Sequence, residues 1–201
     1  MKKANQRKAL VDAAERAIAE GGTASLRARE LAREIGAALG AIYNLVADLD
    51  ELYLRVATRT LARLDEALAA STDGGRVADP VERLVAIALA YRRFASENLH
   101  LWRALFEHRM APGKPLPDWA LTDQMQLFRH IVEPLTTLSP RETEAQRMAA
   151  AHTLFSAVHG VVLLGLEEKF VGVPPDLLDA QISWLVRTTC RGLRSESDRS
   201  A

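Results

Sequence analysis

The side chains whose types and spacing could do chemistry lie between residues 27 and 53, and the chemistry they suit is contact with a nucleic acid. Tyr43 offers a phenol that can bond a phosphate or a base edge. Asn44 offers a carboxamide that can pair with adenine, and Leu39 an aliphatic tip that can touch a thymine methyl. Gly40 and Ala41 are short enough for a backbone to come close to a groove floor, and Ala38 opens the same short segment. Ile42, between them, reads as core. Packing of Tyr43 under the helix that follows is the plainer reading of that ring. Arg27, Arg29 and Arg33 could grip phosphates, which positions a protein without reading sequence. They could equally form a solvated helix face with Glu30 and Glu34. Lys2, Lys3, Arg7 and Lys8 could add a basic arm. Asp48, Asp50 and Glu51 pull the other way, since carboxylates repel phosphates within a Debye length of about 10 Å.

No other chemistry is legible. The chain shows no nucleophile with a base at useful spacing and no Gly-rich phosphate loop, so no enzyme, no catalytic residue and no cofactor are expected. His152 and His159 fall a heptad apart, about 10 Å along a helix, so no metal site is expected. His159 reads as a polar pocket group or a hydrogen-bonded core histidine. Tyr91, Phe94, Trp102, Phe106, Trp119, Met125, Phe128, Phe155 and His159 could line an apolar ligand pocket, or simply pack. Arg103, Glu107 and Arg109 read as a surface charge network.

The elements that must hold these residues are marked by caps and breaks. Ala4 to Glu20 is amphipathic and ends at Gly21-Gly22. Leu26 to Ile35 follows, with Ser25 as a candidate cap. Gly36-Ala37 is a turn, and Ala38 to Leu45 a third short helix. Asp48 and Glu51 open a long helix over 49–70, which Ser71 to Gly75 ends. Asp79-Pro80-Val81-Glu82 starts a helix to Asn98, with another through Met110. Further helices are expected over 118–137, from Ser139-Pro140-Arg141-Glu142 to Phe170, and from Asp176 to Leu193, making about nine. The fold is therefore all-α. A three-helix helix-turn-helix head over 1–47 precedes a larger, aromatic-rich helical body over 48–193, with a flexible tail over 194–201, which suggests two domains with different jobs.

Bulk numbers agree with that class. The 201 residues are 48% hydrophobic and 26% charged, and β-branched types are sparse. Net charge is zero, but residues 1–45 hold eight Lys and Arg against five Asp and Glu. A single cysteine, Cys190, gives no disulfide framework and fits a cytoplasmic setting. The longest apolar run, Val161 to Leu166, is too short to span a bilayer, so no membrane partner is expected.

With these residues in place, the head resembles the DNA-binding domain of the TetR family of bacterial repressors. The resemblance rests on Ala13-Ala14, Gly21-Gly22, Leu31-Ala32, Gly36, Gly40-Ala41-Ile42-Tyr43 and Leu52, and covers about residues 8–56. The body is similar to the family's WHG-type ligand domain at Ala90-Tyr91-Arg92-Arg93-Phe94-Ala95, Glu97-Asn98, Leu105-Phe106 and Val158-His159-Gly160, with Phe155 where a Trp is usual. Ala37-Ala38 replaces a usual Val-Ser. Leu45 and Val46 replace aromatics, and Leu49 a phosphate-binding Lys. The resemblance implies a homodimer built on the last two long helices through Leu154, Val158, Val161, Val162, Leu178, Ile182 and Leu185. It also implies double-stranded DNA and a small apolar ligand as partners, and ligand-driven release from a palindromic operator. A dimeric interaction or sensor protein with weakened DNA binding is the alternative.

Overall fold

The structure, a computed structural model, describes residues 2–72, 77–108, 110, 115–167 and 171–199, side chains excepted at 2, 121, 123, 124 and 195–199. Among them are ten α-helices and no strand. They are α1 (Lys2–Gly21), α2 (Ala28–Glu34), α3 (Leu39–Ile42), α4 (Leu49–Ser71), α5 (Pro80–Glu97), α6 (Leu99–Glu107), α7 (Asp118–Leu127), α8 (Arg129–Leu138), α9 (Glu144–Leu166) and α10 (Leu178–Arg199). Arg109, Asp73 to Gly75 and the expected helix end at Phe170 lie outside the described residues.

The chain divides into two compact units. The first joins Met1–Arg63 with Glu97–Gln124; the second joins Leu64–Ser96 with Met125–Ala201. The compact division therefore falls within α4, after Arg63, where the sequence suggests a boundary at residue 47. The head recruits α6 and the first half of α4, and α4 itself belongs to both units.

In the first unit the apolar stripes of four helices converge. Leu10 and Ile18 of α1, Leu31 of α2, Ile42 of α3 and Leu52 of α4 are each at most 2% exposed. Burying each such side chain contributes about 1.5–3 kcal/mol. Gly22 and Gly36 adopt positive φ of 70° and 66°, which a side chain would strain. Gly36 makes the turn that aims α3, and Ala37 N–H closes it on the Ala32 carbonyl at 2.8 Å. Ser25 does not cap α2; it sits in a 3-10 turn, and Arg27 is the N-cap without a side-chain bond. Arg59 and Arg63 of α4 clasp α1 through Asp12 and Glu15 at 2.6–3.2 Å.

The second unit departs from expectation at three helix ends. The helix foreseen over 118–137 is two, because Phe128 N–H turns back to Met125 and Ile131 N–H to Phe128, in three-residue steps. Ser139 ends α8 rather than starting α9. The start is Thr143, which forms a capping box with Gln146, so the later of two competing start signals is used. α10 continues helically to Arg199, past the tail expected from Arg194.

α9 buries Ala151, Leu154, Val158, Val162 and Gly165; α10 buries Leu178, Ile182, Val186 and Cys190 at strict four-residue spacing. The two helices pack together. Leu154, Val158, Val162, Leu178 and Ile182 are thus at most 5% exposed within one protomer. Within one protomer these side chains are covered by their own chain. Val161 and Leu185 are half-buried, and the exposed apolar side chains from α9 to α10 are Leu164, Val171, Leu177 and Trp184. By length and composition alone the 23-residue α9 is apolar enough to cross a membrane, a test that the core helix of a soluble protein also passes.

Candidate nucleic-acid interface

The interface is built outward from Ile42. Because Ile42 is fully buried, its neighbours on α3 must face out. Ala38, Leu39, Gly40, Tyr43 and Asn44 are all exposed, Leu39 at 42% and Tyr43 at 51%. The Tyr43 ring therefore stands largely in solvent and is not packed under α4. α3 is shorter than expected: Leu39–Ile42 is helical, and Asn44 and Leu45 follow in turns bonded to Ala41 and Ile42. On α2, Arg29 and Arg33 are exposed, and Arg27 at its N-cap meets Glu30 only at 4.0 Å. Their guanidinium groups are available to an anion, whereas Arg16 of α1 is tied to Glu34 at 2.7 Å.

The segment behind α3 is held by two contacts that spacing did not announce. Arg7 Nε donates to the Leu45 carbonyl at 2.8 Å, reaching 38 residues along the chain. Arg7 is thereby used as an internal tether rather than as part of a free arm, and Lys8 pairs with Asp12 at 3.0 Å. Glu51 Oε2 accepts the Ala47 N–H at 2.6 Å, while its Oε1 accepts from Arg55 Nε and Nη2 at 2.8 and 2.6 Å. Burial pushes the Glu51 carboxyl up, but the Ala47 N–H and the Arg55 guanidinium outweigh it and hold the group below its ordinary value.

The acidic stretch consequently has a structural use. Asp48 caps α4 by accepting the Glu51 N–H at 2.9 Å. Asp50 faces His108 Nε2 at 3.2 Å, and the His108 ring stacks on Tyr53 with centroids 3.8 Å apart. Two of the three carboxylates are thus committed to backbone N–H groups and the third lies against an imidazole. Their repulsion of a phosphate is smaller than bare charges would give. The D-x-x-E pattern carried this signal; nothing in the sequence pointed to Arg7.

The nine aromatic and apolar pocket candidates are divided. Trp102, Phe106 and Trp119 belong to the first unit, where Trp102 is fully buried and packs edge-on against Phe106 at 5.7 Å. Trp119 and Phe106 are 41% and 47% exposed. Tyr91, Phe94, Met125, Phe128, Phe155 and His159 belong to the second. There Tyr91 Oη and His159 Nδ1 share a hydrogen bond at 2.7 Å, and Phe155 stacks on His159 at 5.6 Å. Phe155 also meets Tyr91 and Phe128 edge-on at 5.8 and 5.6 Å. Burial lowers the His159 pKa, keeping the imidazole neutral among these rings. Phe94 is buried with Tyr91 on α5, while Met125 is 48% exposed. Among the described residues no group of three or more metal-ligating side chains comes together.

A short, outward-facing helix behind a glycine turn in one unit, and a polar-tipped aromatic cluster among the helices of the other, define a helix-turn-helix protein with a second helical domain. The chain belongs to the TetR family: residues 84–189 match the family model described as "Tetracyclin repressor-like, C-terminal domain". A curated relative, the HTH-type transcriptional regulator BetI of Rhizobium meliloti (strain 1021), is 29% identical over 102 residues, which is 50% of this chain and 50% of that protein. The match therefore spans about half the length of that relative. Among solved structures, a protein with unknown function from Rhodococcus sp. RHA1 superposes with a TM-score of 0.74 at 24% identity, covering 94% of this chain and 95% of that one. A TetR-like transcriptional regulator from the same organism gives 0.63 at 18% identity, with 93% and 96% covered. At such identities these structures show a common fold.

Proposed function

We propose that the protein is a cytoplasmic transcription regulator that binds double-stranded DNA as a homodimer and leaves a palindromic operator when a small apolar molecule binds the body. The observation that carries the reading is the outward set Leu39, Gly40, Tyr43 and Asn44 on a helix seated by buried Ile42. The flanking arginines Arg27, Arg29 and Arg33 supply phosphate contacts. One such head binds weakly; a two-fold dimer sets two recognition helices about 34 Å apart, one turn of DNA. Exposed Leu164, Leu177 and Trp184, with Val161 and Leu185, are the apolar residues available to build that dimer.

The effector would sit at the aromatic cluster of Tyr91, Phe155 and His159, with Tyr91 and neutral His159 as its polar pair. α4, shared by both units, would transmit the change. The ligand acts only by binding the released conformation better than the DNA-bound one. Commitment of Asp48 and Glu51 to backbone N–H groups favours this reading over a sensor that has lost DNA binding.

Selection of duplexes from a random pool tests it. The expected product is an inverted repeat whose binding weakens steeply with salt. An unenriched pool, or binding insensitive to salt, would overturn it.

A further inference from the structure

A groove of about 530 Å³ in the first unit runs between α1, α4 and α7, and its lining includes none of the second unit's aromatic cluster. Its size is that of a site for one small molecule. Ala4, Arg7, Lys8 and Val11 line it from α1, Arg55, Thr58 and Arg59 from α4, and Trp119 from α7. Trp119 is a large aromatic face left 41% exposed at a concave wall. Four cations line the same groove, and three of them are held by carboxylates: Asp12 on Lys8 and Arg59, Glu15 on Arg59, and Glu51 on Arg55. The fourth is Arg7, which gives only its Nε to the Leu45 carbonyl. An indole face beside guanidinium groups is suited to a flat ring bearing a negative charge, which stacks on one and pairs with the other.

We infer that this groove is a small-molecule site for a planar organic anion, such as an aromatic or heteroaromatic carboxylate. Occupancy would act on the recognition segment directly. Arg7 holds the Leu45 carbonyl, and Arg55 holds the Glu51 carboxylate that accepts the Ala47 N–H. An anion drawing on either guanidinium competes with the contacts that fix residues 45–47, just behind Tyr43 and Asn44. The regulatory meaning of that competition rests on the proposed function above; binding itself does not.

The test uses the full chain with 2-naphthoate as probe and 2-naphthamide as its uncharged counterpart, by titration calorimetry and amide NMR. Naphthoate is expected to bind at least about tenfold more tightly than the amide, the size of one partly desolvated charge contact. Trp119→Leu and Lys8→Gln, both at exposed positions, should each weaken naphthoate by about threefold to tenfold. The amide signals of Leu45 and Ala47 should move on binding. Equal affinity for acid and amide, or indifference to both substitutions, would overturn the site. So would a drop of about one in the salt slope of duplex binding in Lys8→Gln, which would give the groove to DNA phosphate instead. Still signals at Leu45 and Ala47 would overturn the coupling. Naphthoate binding by protein that retains no duplex would uphold the site and overturn the regulator reading.

Discussion

Replacing Gly165 by alanine sets a new Cβ inside the van der Waals radius of Leu178 Cδ2, 2.9 Å from its Cδ1 and 3.1 Å from its Cγ. Leu178 is fully buried at the first position of α10, so its whole branched end would have to move within a packed core. Overpacking of this kind costs about 1–3 kcal/mol. Alanine returns about 0.8–1 kcal/mol through helix propensity, for a net loss of up to about 2 kcal/mol. Gly160, five residues earlier on the same helix, has nothing within 4 Å of the corresponding Cβ. There only the propensity gain remains, and Gly160→Ala should stabilise by about 0.5–1 kcal/mol. The two variants should therefore differ by about 1–3 kcal/mol, the overpacking cost alone, or about 2–12 °C in Tm for a chain of this size. Urea denaturation gives the free energies, repeated at two protein concentrations to separate folding from dimerisation. A double-mutant cycle sharpens the cause: Leu178→Ala should cost about 1–2 kcal/mol less in the Gly165→Ala background than alone, because the clash partner is gone. If Gly165→Ala proved as stable as Gly160→Ala, or if the cycle closed additively, the reasoning from close helix approach would be refuted.

Three further outcomes are expected. Gly36→Ala forces a side chain to φ 66° in the turn before α3 and should cost about 1–2 kcal/mol, seen as a lower urea midpoint together with weaker duplex binding. Arg27→Gln, Arg29→Gln and Arg33→Gln should each lower the salt slope of duplex binding by about one while leaving the selected sequence unchanged, as measured by fluorescence anisotropy over a salt series. His159 has a folded pKa depressed below its ordinary 6.5. The stability this contributes is complete above that value and is lost as pH falls from it through the folded pKa, because the unfolded chain takes up the proton first. His159→Gln should flatten that part of the stability profile between pH 8 and pH 5, and an unchanged profile would show that the imidazole is not held neutral.

The head was legible because its signals are local. The spacing from Leu31-Ala32 through Gly36 to Ile42 and Tyr43 decides which side chains are buried, and the structure buries Leu31, Ala32 and Ile42 while exposing Tyr43. The break at Phe128 was not legible, since it carries neither Gly nor Pro and arises only from a local switch to three-residue hydrogen bonding. Two start signals, at Ser139 and Thr143, lay four residues apart, and propensity alone does not rank them. Spacing marks the apolar stripes of α9 and α10, but periodicity does not say whether a stripe is covered by the same chain or by another. Val158 and Ile182 turned out to be covered by their own protomer. The Arg7 tether spans 38 residues, a separation no window along the sequence can see.

Cys190 gives the body a timekeeper. It is the single thiol in the chain, it is fully buried on α10, and burial pushes its pKa up to about 11. At pH 8 the thiolate fraction is then about one in a thousand, so a disulfide reagent reacts only when α10 lifts and the thiol regains its ordinary acidity. The labelling rate becomes a clock for local opening of the α9–α10 pair, read at a thiol the chain already carries. It should run fast in Gly165→Ala and slow in Gly160→Ala.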